Sequence, residues 1–268
     1  MIYETREVRV NNQTAILTSY LISNTAEIDI NRKRPAVIIC PGGGYEFTSD
    51  REAEPIALKM MNMGFHAFVL HYNVKPHVYP QALLELATAV QIVRENHQVW
   101  GIDPSKIIVA GFSAGGHLAA SLGVFWQGSL LVEKMKGEKE SWQPNGLLLA
   151  YPVISSGEFI HEGSFKTLLA ENYPQMKDEL SLEMQVNADT PPTFLWHTFE
   201  DDVVPMENSM LFASHLRRNE IPFELHLFPK GGHGLSLATA ETSRDFYGIN
   251  EQVAVWPELF ERWVQNNF

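Results

Sequence analysis

One cysteine, Cys40, stands among 268 residues, so the chain can close no disulfide on itself. That suits a reducing compartment. Cys40 ends an apolar run just before Pro41 and reads as a small buried hydrophobe. Positive charge is scarce: 20 Lys and Arg face 32 Asp and Glu, a formal net charge of -12. Such a balance argues against nucleic acid and anionic membranes as partners, and is silent on a neutral substrate. No apolar run approaches the roughly 20 residues that span a bilayer. Residues 1–8 carry acids where a signal peptide would carry an apolar core. A soluble, cytoplasmic protein is expected. The signatures of metal chemistry are missing too, with no H-E-x-x-H, no cysteine pair and no close His/Asp cluster, so neither metal nor cofactor is expected. No internal repeat, low-complexity tract or linker interrupts the chain.

What is present is a regular alternation. Residues 15–22, 36–40, 66–70, 107–110, 147–151, 193–197 and 224–227 read as strands, several of them apolar throughout as in a sheet covered on both faces. Residues 52–63, 81–99, 206–218 and 250–267, and a segment after residue 113, read as helices. Strand–helix alternation predicts an α/β fold with a mostly parallel sheet of about eight strands and helices on both faces. A composition 45% hydrophobic suits a single domain over 1–268. The least regular stretch, 152–192, reads as a long crossover with one or two surface helices, a small lid over the site being the alternative.

The chemistry gathers just after strands, the edge where such sheets bind ligands. Gly111-Phe112-Ser113-Ala114-Gly115 reads G-x-S-x-G between an apolar strand and an alanine-rich helix. That context makes Ser113 a candidate nucleophile on a sharp turn, with the helix N-terminus facing any oxyanion formed there. Pro41-Gly42-Gly43-Gly44-Tyr45 follows an earlier strand. Three glycines in a row suggest close backbone approach or positive φ, and the amides of Gly43 and Gly44, with that of Ala114, are candidate oxyanion donors. A phosphate loop fails on detail, since neither G-K-[ST] nor G-x-G-x-x-G occurs there.

A serine needs a base, and the base needs an oriented acid. Among ten histidines, His233 lies in the glycine-rich loop Lys230-Gly231-Gly232-His233-Gly234 after the last strand and is the candidate base. His226 reads as packed within a strand, and His215 and His117 lie on helices. The acid comes from Glu200, Asp201 or Asp202, directly after another strand. The carboxylates left over suit the N-terminus of the following helix.

With these residues in place, the chain resembles the α/β-hydrolases of the esterase/lipase type, specifically the small acetyl-xylan-esterase-like carbohydrate esterases. The likeness rests on Pro41-Gly-Gly-Gly-Tyr45, Gly111-Phe-Ser-Ala-Gly-Gly-His117, Thr190-Pro-Pro-Thr-Phe-Leu-Trp-His197, Asp201-x-x-Val204-Pro205 and Gly232-His233-Gly234, in that order along the chain. The family's Asp-x-x-Val-Pro form selects Asp201, leaving Asp202 as the second candidate. The resemblance implies an α/β-hydrolase fold and a serine esterase with Ser113, His233 and Asp201 as its triad, acting on small short-chain acyl esters of the acetyl type. Pro41 stands where larger lipase relatives carry the histidine of His-Gly-Gly-Gly, which points away from the branch with a large N-terminal cap. The segment before the first family strand is too short for that cap, so a more open pocket is expected, suited to small acyl groups on bulky alcohols such as sugars. Pairing into a homo-oligomer is a further expectation from such esterases. Two other readings stay open: a prolyl-oligopeptidase-type serine peptidase, whose usual large N-terminal domain this chain lacks room for, and a non-catalytic hydrolase-fold ligand binder.

Overall fold

The structure, a computed structural model, describes residues 1–244 and 248–268. Eight strands among the described residues form one sheet: β1 (Ile2–Val10), β2 (Gln13–Leu21), β3 (Arg34–Cys40), β4 (His66–His71), β5 (Ile102–Phe112), β6 (Gly146–Ala150), β7 (Thr193–Thr198) and β8 (Phe223–Phe228). Their order is β1-β2-β4-β3-β5-β6-β7-β8. The pairs β1–β2 and β2–β4 are antiparallel, and every pair from β4 to β8 is parallel. The helices are α1 (Glu54–Asn62), α2 (Gln81–Glu95), α3 (His97–Trp100), α4 (Ala114–Phe125), α5 (Ser129–Lys134), α6 (Glu162–Leu169), α7 (Glu207–Arg218) and α8 (Trp256–Asn267).

The central strands are apolar throughout because both faces are covered. In β3, Ala36, Ile38 and Cys40 point into a core shared with α2, α4 and α7, while Val37 and Ile39 point into a second core shared with α1 and α8. Strand β5 divides in the same way, with Val109 on one side and Ile108 and Ala110 on the other. This is the expected mostly parallel sheet with helices on both faces. Among the described residues no helix is long and apolar enough to cross a membrane.

Several boundaries differ from the sequence reading. Strand β1 was not expected, because as an edge strand it buries Val8 alone and shows no apolar face. Its local signal is the turn, where Asn11 and Asn12 take φ of 51° and 64°, the mirror-image geometry that two-residue hairpins favour. The single helix expected over 81–99 ends at Glu95, and the short α3 follows before Gly101 closes it at φ 65°. The helix expected from residue 250 begins at Trp256. Upstream, the Asn250 side chain accepts the amides of Gln252 and Val253 at 3.1 and 3.2 Å, forming a turn before Pro257 starts the helix. His226 is half-buried instead of fully packed, since β8 is the other edge of the sheet; its Nε2 meets Glu224 at 2.7 Å.

The carboxyl ends of β3, β5, β7 and β8 open into the glycine loop, the serine turn, the acid loop and the histidine loop. The parallel strands carry all four to one edge of the sheet.

Candidate active site

Ser113 sits between β5 and α4 with φ 54° and ψ -119°, a conformation that L-residues rarely adopt. The flanking glycines allow it. A Cβ on Gly111 would lie 2.1 Å from the Gly115 carbonyl oxygen, and one on Gly115 would lie 2.1 Å from that of Cys40. The start of α4 therefore packs directly onto β5 and β3. The Ser113 amide donates to the Ala150 carbonyl at 3.0 Å, and the Ser113 carbonyl accepts from His117 and Val153 at 3.2 and 3.0 Å. The turn is thus tied to β6 as well as to its own helix.

The Ser113 hydroxyl lies 2.8 Å from His233 Nε2, and His233 Nδ1 lies 2.7 Å from Asp201 Oδ2. The carboxylate can only accept, so Nδ1 carries the proton and Nε2 is free to accept from serine. The other oxygen of Asp201 accepts the amides of Val203 and Val204 at 3.1 and 2.9 Å. Burial alone would raise the Asp201 pKa, but hydrogen bonds from His197, His233 and Val204, with the attraction of His233, outweigh it and hold the carboxyl far below the ordinary carboxylate range. Asp201 is buried and Asp202 is exposed.

Glu200 joins the two loops from outside, accepting Lys230 Nζ at 2.5 Å and the Gly231 amide at 3.2 Å. The expectation that the spare carboxylates cap the next helix is not met. Met206 stands at the N-cap of α7, and no side chain caps it.

The glycine loop meets the serine turn from β3. Gly43 and Gly44 have φ of 130° and 65°, and a Cβ on Gly43 would lie 2.1 Å from the Phe47 carbonyl oxygen. Among the described residues, the amides of Gly43, Gly44 and Ala114 have no acceptor within the protein. That combination, donors held in place and unspent, is what a developing oxyanion needs. Two tyrosines hold the loop: Tyr72 donates to the Pro41 carbonyl at 2.7 Å, and Tyr45 meets His117 Nδ1 at 2.9 Å. His117, on α4 where the sequence placed it on a helix, is buried. Its Nε2 donates to the Leu180 carbonyl at 3.1 Å, and burial lowers its pKa to about 4.

Three supporting residues escaped the sequence reading. His197 lies under the acid: its Nε2 donates to the Val204 carbonyl at 2.9 Å and leans on Asp201 Oδ2 at 3.2 Å, while Nδ1 meets Ser209 at 2.8 Å. Glu52, buried at the end of the glycine loop, accepts the Gly42 amide at 2.8 Å and the Tyr151 hydroxyl at 2.7 Å. The Tyr151 ring in turn stands edge-on to His233, with centroids 5.2 Å apart. The sequence signal for His197 was its place at the end of β7, and for Tyr151 its place just beyond β6; nothing local marks Glu52. Among the described residues no group of three or more His, Cys, Asp or Glu side chains is arranged to hold a metal ion.

The family model described as BD-FAE matches residues 26–216. A protein named endo-1,4-beta-xylanase B from Butyrivibrio fibrisolvens is 40% identical over 78% of this chain, which spans only 34% of that protein's length. Among solved structures, an acetyl ester-xyloside bifunctional hydrolase from Caldicellulosiruptor lactoaceticus is 40% identical, with a TM-score of 0.82 over 96% of this chain and 89% of the other. The carboxylesterase Cest-2923 from Lactobacillus plantarum is 30% identical, with a TM-score of 0.88 over 99% and 98% of the two chains. With the sheet described above, these likenesses make the fold that of the α/β-hydrolases.

Proposed function

The chain belongs to the BD-FAE family, and from that premise we propose that it is a serine carboxylesterase acting on short-chain acyl esters, acetylated carbohydrates among them. The observation that carries this reading is the unbroken chain Ser113–His233–Asp201, with links of 2.8 and 2.7 Å, beside three unspent amides.

In this mechanism Ser113 Oγ attacks the ester carbonyl carbon and its proton passes to His233 Nε2. The carbonyl π electrons move to oxygen, and the amides of Gly43, Gly44 and Ala114 hold the oxyanion. Asp201 stabilises the imidazolium without taking its proton. As the tetrahedral intermediate collapses, the C–O bond to the alcohol breaks and His233 returns the proton to the leaving alkoxide. Water then attacks the acyl-serine, giving its proton to His233. Release of the carboxylic acid returns that proton to Ser113.

A preference for short acyl groups, acetyl first, is supported by the likeness to an acetyl ester-xyloside hydrolase at 40% identity. A p-nitrophenyl ester series of increasing chain length tests it. Turnover of p-nitrophenyl acetate by Ser113→Ala tests the mechanism: activity is expected to collapse in a folded variant. Turnover near the wild-type rate would sink the assignment.

A further inference from the structure

His161, in the segment between β6 and β7, caps the start of α6. Its Nδ1 accepts the Ser164 amide at 3.3 Å and meets the Ser164 hydroxyl at 2.8 Å. An Nδ1 that accepts an amide cannot carry the proton, so the neutral ring bears it on Nε2. Among the described residues no acceptor meets that Nε2–H, and the ring is half-buried, so it stays open to an incoming ligand. Burial first, and then neighbouring His233, keep the ring neutral by lowering its pKa, while Asp201 pulls the other way.

The position is informative. His161 lies within electrostatic reach of both His233 and Asp201. Its partner Ser164 stands against the glycine loop, with Oγ 3.9 Å from where a Cβ on Gly44 would be. The cap is firmly seated, since Phe165 of α6 packs edge-on to the buried His117 ring at 5.3 Å and the Leu168 carbonyl accepts the Tyr79 amide at 2.9 Å. In an ester hydrolase the alcohol must face the histidine that protonates it. A free donor within electrostatic reach of His233, on a cap that stands against the glycine loop, is therefore placed toward the alcohol half of the ester.

We propose that His161 is a specificity-determining residue, its Nε2–H donating to a hydroxyl oxygen on the alcohol half of the ester. The inference rests on the esterase reading above. It assigns the substrate class as monoesters of polyols or sugars that keep a free hydroxyl next to the acylated one.

The test uses two acetates that differ in one hydroxyl, trans-2-hydroxycyclohexyl acetate and cyclohexyl acetate. The quantity read is the ratio of their kcat/KM values. One hydrogen bond to substrate supports a preference of about tenfold for the hydroxylated ester. His161→Asn keeps a good helix cap but withdraws the Nε2–H, and is expected to lower the ratio by about tenfold. His161→Gln restores a donor at similar reach and is expected to recover most of the ratio. An unchanged ratio in His161→Asn, or an equal fall on both acetates, overturns the proposal, because a purely structural role for the cap would affect both esters alike. A wild-type protein inert toward both acetates and p-nitrophenyl acetate instead overturns the esterase reading itself, and the proposal with it.

Discussion

Tyr151 donates its hydroxyl to Glu52 at 2.7 Å, and the other oxygen of that carboxylate accepts the Gly42 amide at 2.8 Å. The Tyr151 oxygen also accepts the Ser236 amide at 3.0 Å, just beyond the histidine loop. One buried carboxylate thus links the glycine loop to the tyrosine that stands against His233. Burial, followed by the nearby Glu52 charge, pushes the Tyr151 phenol well above its usual pKa, so it remains a donor at any working pH.

Glu52→Gln should disturb this link without emptying the space. The amide nitrogen would face the Tyr151 oxygen, which already accepts from Ser236, and the charge-assisted bond to Gly42 would weaken. Misplacing catalytic donors by a fraction of an ångström is costly, so kcat on p-nitrophenyl acetate is expected to fall on the order of tenfold or more. KM and thermal stability should change little. A variant that loses stability while kcat holds would make Glu52 a purely structural residue.

The acid is tested by comparing Asp201→Asn with Asp202→Asn. Asparagine at 201 removes the charge opposite the imidazolium and favours the wrong tautomer, so kcat should drop on the order of 10⁴-fold. Asp202 is exposed and lies outside the hydrogen-bonded chain, so its variant should stay within about twofold, as surface changes usually do. A collapse in Asp202→Asn alone would reverse the assignment.

Legibility in the sequence followed the range of the forces involved. The serine turn was readable because its geometry is set within five residues by Gly111 and Gly115. The same holds for the glycine loop and for the apolar strands buried on both faces. The acid was not readable from local chemistry, since Glu200, Asp201 and Asp202 adjoin one another. The family pattern selected Asp201; of the three, its carboxylate is the buried one and bonds His233 and the Val203 and Val204 amides, contacts that no local pattern announces. Glu52 and Tyr151 are 99 residues apart and meet only when β3 and β6 bring their ends together. The Glu200 tie to Lys230 likewise spans two loops. Strand β1 was hidden because an edge strand needs no apolar face.

Acid stability should report the buried imidazoles. The pKa values of His117 and His66 are both lowered to about 4, chiefly by burial. Unfolded histidine titrates near 6.5. Between about pH 6.5 and 4 the unfolded chain therefore binds protons that the folded chain refuses, so stability is lost as pH falls through that window. The loss is on the order of 2–3 kcal/mol per imidazole by pH 4. Urea unfolding at pH 7 and pH 4.5 should show this fall, and His117→Gln should remove the part of it that His117 supplies, roughly half of what these two imidazoles contribute together. Parallel pH curves for the two proteins would contradict the account.

The central claim is that Ser113 is the nucleophile, and covalent labelling tests it most directly. The wild-type protein is treated with a fluorophosphonate probe, digested, and the modified residue located by tandem mass spectrometry. The account predicts one label, on Ser113, that appears as hydrolysis of p-nitrophenyl acetate disappears and is absent from Ser113→Ala. A label on another residue, or none on a protein that still hydrolyses the ester, would contradict it.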